Sequence, residues 1–444
     1  MKIAALILST TFAAVAATAP SVHSLSVADR ASLVEELAQW KAKFGGIAKA
    51  EGLLPPVSST RNLDDTINNE LQRLLDNKHA VEVASKNNPK AQFSTDHKFA
   101  LMTEAEFGNY VKGSFDQGSR SLSSLPKAKL SLNASAADTI DWTTGSCMPA
   151  VRNQGQCGSC WAFSAVGAAE MGHCIATGDL LDLSEQQVTS CSKEGGNDGC
   201  NGGWEYLAID YVAKTGLCMD SDWPYTSGKS GQTGSCSNKC TKKTLAIGTS
   251  VRVSGEDALA TSLNTQPVSV AVEAGNSVWM NYQGGIVTQC PGAESDHAVI
   301  AVGYDGGAYK VRNSWGASWG ESGYIRLERG VGGKGTCNVV SEVSYPQLGL
   351  SPTPVPSSAT PKPSTPTPSK STPSPSSSTP KPSTPTPSTS SPFTPAPSTS
   401  SPEPGCGTCQ ACYYPGNNEC LPDDYTKDDC DYYNSEYGTI WCGN

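Results

Sequence analysis

Basic residues are a minority in this 444-residue chain: 32 lysines and arginines stand against 42 aspartates and glutamates, a formal net charge of −10. A nucleic-acid partner would want a basic face, so that class is set aside. No apolar run after residue 17 is long enough to span a bilayer, which excludes an integral membrane protein once any leader is removed. Histidine occurs only 5 times, leaving few candidates for a general base or a metal ligand. Residues 25–132 contain no cysteine at all, although the chain holds 17. Residues 351–404 also lack cysteine and hold one aromatic, Phe393, so they cannot bury a core. These gaps cut the chain into blocks of different character.

What is there concentrates at 154–161, Gln-Gly-Gln-Cys-Gly-Ser-Cys-Trp. Glycines and small polar residues come first, and the alanine-rich run 162–170 then favours a helix, so Cys160 stands where that helix opens. A thiol there meets the positive end of the helix dipole and the unpaired amides of the first turn, both of which favour thiolate. A nucleophile needs a base, and the base needs an orienter. His297, after Asp296, heads the apolar segment 297–303, which reads as a buried strand; further on, Asn313 sits in Val-Arg-Asn-Ser-Trp-Gly. Most cysteines of a secreted chain are halves of disulfides, and Cys157 fits that rule. Cys160 departs from it through the company of Gln154, His297 and Asn313.

The signature Cys-Gly-Ser-Cys-Trp at 157–161, with His297 and Asn313 some 130–150 residues later, resembles the papain-like cysteine peptidases of cathepsin L type, from Asp141-Trp142 to Tyr345-Pro346. The resemblance implies an α+β, two-lobed fold, a helical lobe beside a β-barrel-like lobe, over residues 136–348. Patterning agrees: helices are expected at 160–178 and 204–214 and after the capping box Ser184-Glu185-Gln186-Gln187, and strands at 268–272, 297–304, 309–312 and 323–327. In such an enzyme Cys160 is the nucleophile, His297 its acid and base, and Asn313 the residue that holds the ring. The Gln154 amide and the Cys160 backbone N–H form the oxyanion hole, fixed dipoles placed where charge develops. Trp315 would shield the His297–Asn313 hydrogen bond from water. Gly202 and Gly203 would let an extended peptide approach the backbone. Trp204, Asp296 and Glu342 are implied to line the one selective pocket, where Glu342 would add tolerance for arginine to a preference for apolar groups. The resemblance also implies disulfides Cys157–Cys200, Cys191–Cys236 and Cys290–Cys337. Cys147, Cys174, Cys218 and Cys240 remain, and three pairings of them are open.

Residues 1–24 read as a secretory signal, Met1-Lys2 followed by the short apolar run 3–17, with a cut after Ala16, Ala19 or Ser24. The chain therefore enters an oxidising compartment, where its cysteines pair. Residues 25–135 are charged and helix-forming, with Leu33, Leu37 and Trp40 at helical spacing within 27–44 and a second helix over 68–83. Lying between signal and enzyme, they are expected to be an inhibitory propeptide. Gln39-Trp40-Lys41 and 99–107 resemble the family's prodomain, with departures. Leu74 and Glu70 replace an aromatic and an arginine, and His97 and Leu101 replace the Asn and Asp around Phe99. Asn133-Ala134-Ser135 is a glycosylation sequon at Asn133, and the mature chain is expected to begin near Ala136.

Residues 351–404, rich in Pro, Ser and Thr, form an extended, O-glycosylated tether. Residues 405–444 hold Cys406, Cys409, Cys412, Cys420, Cys430 and Cys442, because so short a module needs disulfides to be stable. Its tyrosines and Trp441 give it the build of a carbohydrate-binding module, the alternative being a structural knot. A metal site at the three closely spaced cysteines is set aside in a secreted chain, and no metal or cofactor is expected.

The sequence thus predicts a secreted, monomeric cysteine endopeptidase made as a zymogen, extracellular or else lysosomal or vacuolar. Its partners are protein or peptide substrates, its own propeptide and, through 405–444, an insoluble polysaccharide. Two other classes are kept: a wall- or polysaccharide-binding protein using the peptidase fold as a scaffold, and a peptide ligase. A scaffold has no need of Gln154, Cys160, His297 and Asn313 together; a ligase uses the same four.

Overall fold

The computed structural model describes residues 20–56, 63–112, 138–237 and 240–348, together with 412–414, 419–420, 430 and 440–442. The signal through residue 19, the sequon at Asn133, the tether 351–404 and most of the terminal module lie outside the described residues. The chain divides into two units, Met1–Pro352 and Thr353–Asn444.

In the first unit the N-terminal block is helical. Ser26 caps α1 (Val27–Trp40) by accepting the Asp29 N–H, and Leu33, Leu37 and Trp40 are its buried face, as their spacing predicts. A π-helical stretch, Lys41–Gly45, leads into α2 (Gly46–Ala50), and α3 (Leu63–Asn87) packs on α1. The two departures on α3 are both buried: Leu74 fills the core, and Glu70 pairs with Lys41 at 2.9 Å. Asn77 holds the following segment by donating to the carbonyls of Ala100 and Met102 at 2.8 Å each. The block continues through β1 (Ala91–Phe93) and α4 (Glu104–Lys112). Val22 is 1 % exposed and donates its N–H to Gln72 Oε1 at 2.9 Å, so residues 20–24 pack as part of this block.

The remainder builds two lobes. After β2 (Ile140–Asp141), the helical lobe consists of α5 (Cys160–Thr177), α6 (Glu185–Cys191), α7 (Glu205–Thr215) and the short α8 (Ser227–Ser230). Helix α5 is apolar or small except at Glu170 and His173, and every residue from Cys160 to Cys174 is buried, because the helix runs between α6 and α7 on one side and the β lobe on the other. Trp161, Ala165, Ala169, Val188, Ile209 and Val212 form the core of this lobe.

The β lobe contains β3 (Ile247–Val253), α9 (Glu256–Leu263), β4 (Val268–Val272), α10 (Ser277–Met280), β5 (Tyr282–Val287), β6 (His297–Tyr304), β7 (Ala308–Arg312), β8 (Tyr324–Glu328) and β9 (Val343–Leu348). The sheet order is β1-β5-β8-β7-β6-β4-β9-β3, with β2 pairing with β6; β5 and β8 are parallel. Strands β4 and β6, expected from their strand-like patterning, are buried at every position, Ser269 and His297 included.

Five disulfides tie the described residues of the two lobes: Cys157–Cys200, Cys191–Cys236, Cys290–Cys337, Cys147–Cys174 and Cys218–Cys240. The last two close the choice that the sequence left open. In the second unit, β10 (Cys412–Tyr414) lies between β11 (Glu419–Cys420) and β12 (Ile440–Trp441) in a small antiparallel sheet. No described helix is long and apolar enough to cross a membrane.

Candidate active site

Cys160 is the first residue of α5 and fully buried; among the described cysteines of the two lobes it alone stays outside every disulfide. The Cys157–Cys200 bridge pins the preceding turn, and the Trp161 indole N–H donates to Gly199 O at 3.1 Å. The sulfur lies at the lobe seam, where the Ala298 N–H donates to Cys160 Sγ at 3.1 Å. That contact sets it against the residue next to His297, at the start of β6.

The His297 ring faces Asn313 Oδ1 at 2.8 Å through Nε2. Asn313 Oδ1 also accepts the Ser314 N–H at 2.8 Å, so an acceptor stands opposite Nε2, and Nε2 must carry the hydrogen. Nδ1 is then the basic nitrogen of the neutral ring. It is buried and without a hydrogen-bond partner. Trp315 stacks on the imidazole at 4.8 Å, and Trp279 meets it edge-on at 6.3 Å, with Trp319 stacked on Trp279. The sequence reading singled out Trp315 alone; Trp279 and Trp319 carry no local signal and reach the site only through the fold. Burial lowers the His297 pKa to about 4, against the Asn313 hydrogen bond that raises it.

Gln154 is buried and immobilised. Its Nε2 donates to Cys157 O at 3.1 Å, its Oε1 accepts from Ser314 Oγ at 2.7 Å, and its backbone N–H donates to Ser314 O at 2.9 Å. One amide hydrogen remains for another acceptor. The same clamp joins the Cys160 turn to the segment that carries Asn313.

Trp204 is 8 % exposed, and its N–H donates to Asn197 Oδ1 at 2.7 Å. Gly202 adopts φ +113°, and a Cβ on Gly203 would lie 2.6 Å from the Trp161 ring. Both glycines are therefore required by the chain's own packing, whatever approaches from outside. Asp296 accepts the N–H groups of Ala274 and Gly275. Glu342 is bound to Arg252, Nη2 to Oε2 3.2 Å, a partner that sequence reading missed. Behind Asn313 lies a second unread cluster. Burial pushes Glu170 up to about 7 and Glu185 to about 8, beside Arg152 and Arg312 at the junction of the lobes.

The N-terminal block covers this site. Phe99, Phe107 and Tyr110 pack on Trp315, with ring centroids 5.9, 5.4 and 6.4 Å away. Gly108 approaches Gly275, beside Asp296. Strand β1 adds to the sheet edge at β5, and the Asn88 side chain accepts the N–H groups of Thr288 and Gln289 at 2.8 Å each. Glu51 takes a hydrogen bond from Asn153, next to Gln154, at 2.9 Å while pairing with Lys98 at 2.6 Å.

Comparison with known proteins is consistent with this arrangement. Residues 136–347 match the model of the papain family cysteine proteases. The chain is 36 % identical to cysteine proteinase COT44 of Brassica napus, over 67 % of this chain and 94 % of that one. It is 38 % identical to cathepsin L 2 of Paramecium tetraurelia, over 57 % and 77 %. Among solved structures it is similar to the proform of the Amb a 11 cysteine protease of ragweed pollen, with TM-score 0.61 and 28 % identity over 72 % of this chain and 94 % of that one. It is also similar to a stem bromelain precursor, with TM-score 0.60 and 28 % identity over 71 % and 99 %. With a thiol at a helix start, a histidine–asparagine pair across the seam and an N-terminal block over both, the chain belongs to the papain family of cysteine proteases and has the build of a zymogen.

Proposed function

We propose that the protein is a secreted cysteine endopeptidase whose reaction runs through Cys160, His297 and Asn313. The observation that carries this is the fixed direction of the His297 ring: Asn313 holds Nε2–H, which leaves Nδ1 to serve the thiol. When the N-terminal block leaves, water returns to the cleft and the His297 pKa rises from its buried value, so a thiolate–imidazolium pair can form. The thiolate attacks the peptide carbonyl, and the oxyanion takes the remaining Gln154 amide hydrogen and the Cys160 N–H. Imidazolium gives its proton to the leaving amine as the C–N bond breaks. Water then attacks the thioester, His297 taking its proton, and releases the acid and the thiol.

Residues 25–135 act as the propeptide, with the leader cut after Ala16, Ala19 or Ser24; the packing of Val22 against α3 favours a cut ahead of it. Residues 136–348 form the peptidase. Substrate lies along Gly202 and Gly203, and its side chain enters a pocket of Trp204, Asp296 and Glu342 that takes apolar groups directly. A basic group competes with Arg252 for Glu342. The enzyme works as a monomer outside the cell or in a lysosome or vacuole, and residues 405–444 hold it to insoluble polysaccharide; failure of that module to be retained on cellulose, chitin and β-glucan would remove this last point.

The zymogen reading is tested on the purified precursor. It should be nearly inactive until cut, and the active form should begin between Leu132 and Ile140. A fully active, uncut precursor would overturn it.

A further inference from the structure

Three charged groups from both lobes meet beside the cleft. Arg252 lies on β3, and Glu342 immediately precedes β9, the strand paired with β3. Their side chains are 9 % and 17 % exposed and 3.2 Å apart, and the guanidinium lies 4.2 Å from the centre of the Tyr206 ring on α7. The residue before Tyr206 is Glu205, 3 % exposed, whose Oε1 accepts from Ser344 Oγ at 3.4 Å and whose Oε2 has no hydrogen-bond partner. The position relative to the chemistry follows from the ladders. Glu342 O accepts the Ala271 N–H at 3.1 Å, and the next residue, Val272, is paired with His297. Glu205 follows Trp204 on the segment that the Cys157–Cys200 bridge ties to the Cys160 turn.

The set contains two carboxyls and one guanidinium in a nearly dry setting. Arginine stays charged under all working conditions. Burial pushes Glu205 up to about 7, with Glu342 raising it further and Arg252 opposing, so in acid Glu205 is neutral. One cation then balances one anion. An arginine from a substrate would meet a carboxylate already taken, and an acidic side chain would meet a guanidinium already taken.

We propose that Arg252 is a specificity-determining residue: it occupies the anionic seat of Glu342 and so makes the selective pocket discriminate against charged side chains in favour of apolar ones. The inference rests on the pocket reading given above. It makes Arg252 and Glu342 reciprocal, since removing either leaves the other's charge uncompensated. The Arg252→Met variant keeps a long stem over Tyr206 while leaving the pocket anionic; Glu342→Gln leaves Arg252 with Glu205 alone, a cationic set as long as Glu205 is protonated in acid.

The test uses the activated enzyme and dipeptide amides with arginine at the cleaved residue and Phe, Arg or Glu before it, in mildly acidic buffer. Arg252→Met should raise the kcat/KM ratio of Arg over Phe by roughly tenfold to hundredfold, the range of a charge-assisted pair. Glu342→Gln should raise the ratio of Glu over Phe by a similar factor, and the double variant should return both ratios towards the wild-type values. The two single variants are independent arms, so a folding failure in one leaves the other decisive. Unchanged ratios, while Trp204→Ala alters the Phe rate relative to the others, would overturn the role of Arg252 and leave the pocket in place. If Trp204→Ala also changes no ratio, the pocket reading itself falls.

Discussion

His97 supplies a pH-dependent element of the zymogen contact whose size can be worked out. It stands on the segment between β1 and α4, fully buried against the enzyme: its Nδ1 accepts the Phe99 N–H at 3.1 Å, its Nε2 donates to Asn281 Oδ1 at 2.9 Å, and the Trp40 indole donates to its carbonyl at 2.8 Å. Both nitrogens are used by the neutral ring. A second proton, on Nδ1, would face the Phe99 N–H and abolish that bond. Burial holds the docked pKa at about 4 from an ordinary 6.5, with the Asn281 bond and the Asp96 charge pulling the other way. The released ring therefore takes up a proton that the docked ring refuses. Docking is at full strength above pH 6.5 and weakens as the pH falls from 6.5 towards 4, to a total of about 3 kcal/mol, or on the order of a few hundredfold. Glu106 acts in a separate window. Its hydrogen bonds with Arg73 hold it below the ordinary carboxylate range, so its share, which holds α4 to α3 within the N-terminal block, is lost only at lower pH. The measurement is amide exchange of residues 91–93 and 97–99 against pH, corrected for intrinsic rates, in the Cys160→Ala precursor with and without His97→Gln. The slope between pH 6.5 and 4 should be steeper with His97 than with Gln, the remainder being the share of His297, which docking also buries; equal slopes would refute the reasoning.

Two further outcomes follow from the same contacts. Gly285 sits at φ +82°, and a Cβ there would lie 2.3 Å from Lys90 O. Gly285→Ala should weaken β1 docking by about 1–3 kcal/mol and give a leaky precursor, measured as activity before any cut; a precursor as tight as wild type would count against β1 as a closure. Replacing both Cys147 and Cys174 by alanine opens a loop of sequence separation 27, which should cost about 3–4 kcal/mol in denaturant unfolding of the mature enzyme; a loss under about 1 kcal/mol would contradict the chain-entropy argument.

Cys160, His297 and Asn313 were legible as candidates because each carries a local mark: a helix opening for Cys160, an apolar strand for His297 and the run Val-Arg-Asn-Ser-Trp-Gly around Asn313. What the sequence hid is what the fold brings together from afar. Arg252 and Glu342 meet across the β3–β9 pairing, and no spacing rule links them. Trp279 and Trp319 read as ordinary aromatics until the fold places Trp279 beside His297 and Trp319 against Trp279 and Trp315. Glu170, Glu185 and Arg312 look like surface charges, yet all three are buried and line one cavity at the junction of the lobes. The departures at Glu70 and Leu74 are accommodated by an ion pair with Lys41 and by plain core packing. Strand β3 escaped notice because its exposure alternates irregularly, a consequence of the shift in its register with β9.

The most direct test of the central claim is to treat the activated enzyme with a mild thiol alkylator, follow activity, and map the adduct by peptide mass. All other described cysteines of the peptidase lobes are in disulfides, so one adduct should form, on Cys160, in step with complete loss of hydrolysis, and a separately processed Cys160→Ala enzyme should be inactive while folded. Activity that vanishes with the label on another residue, or survives in the Cys160→Ala enzyme, would contradict it.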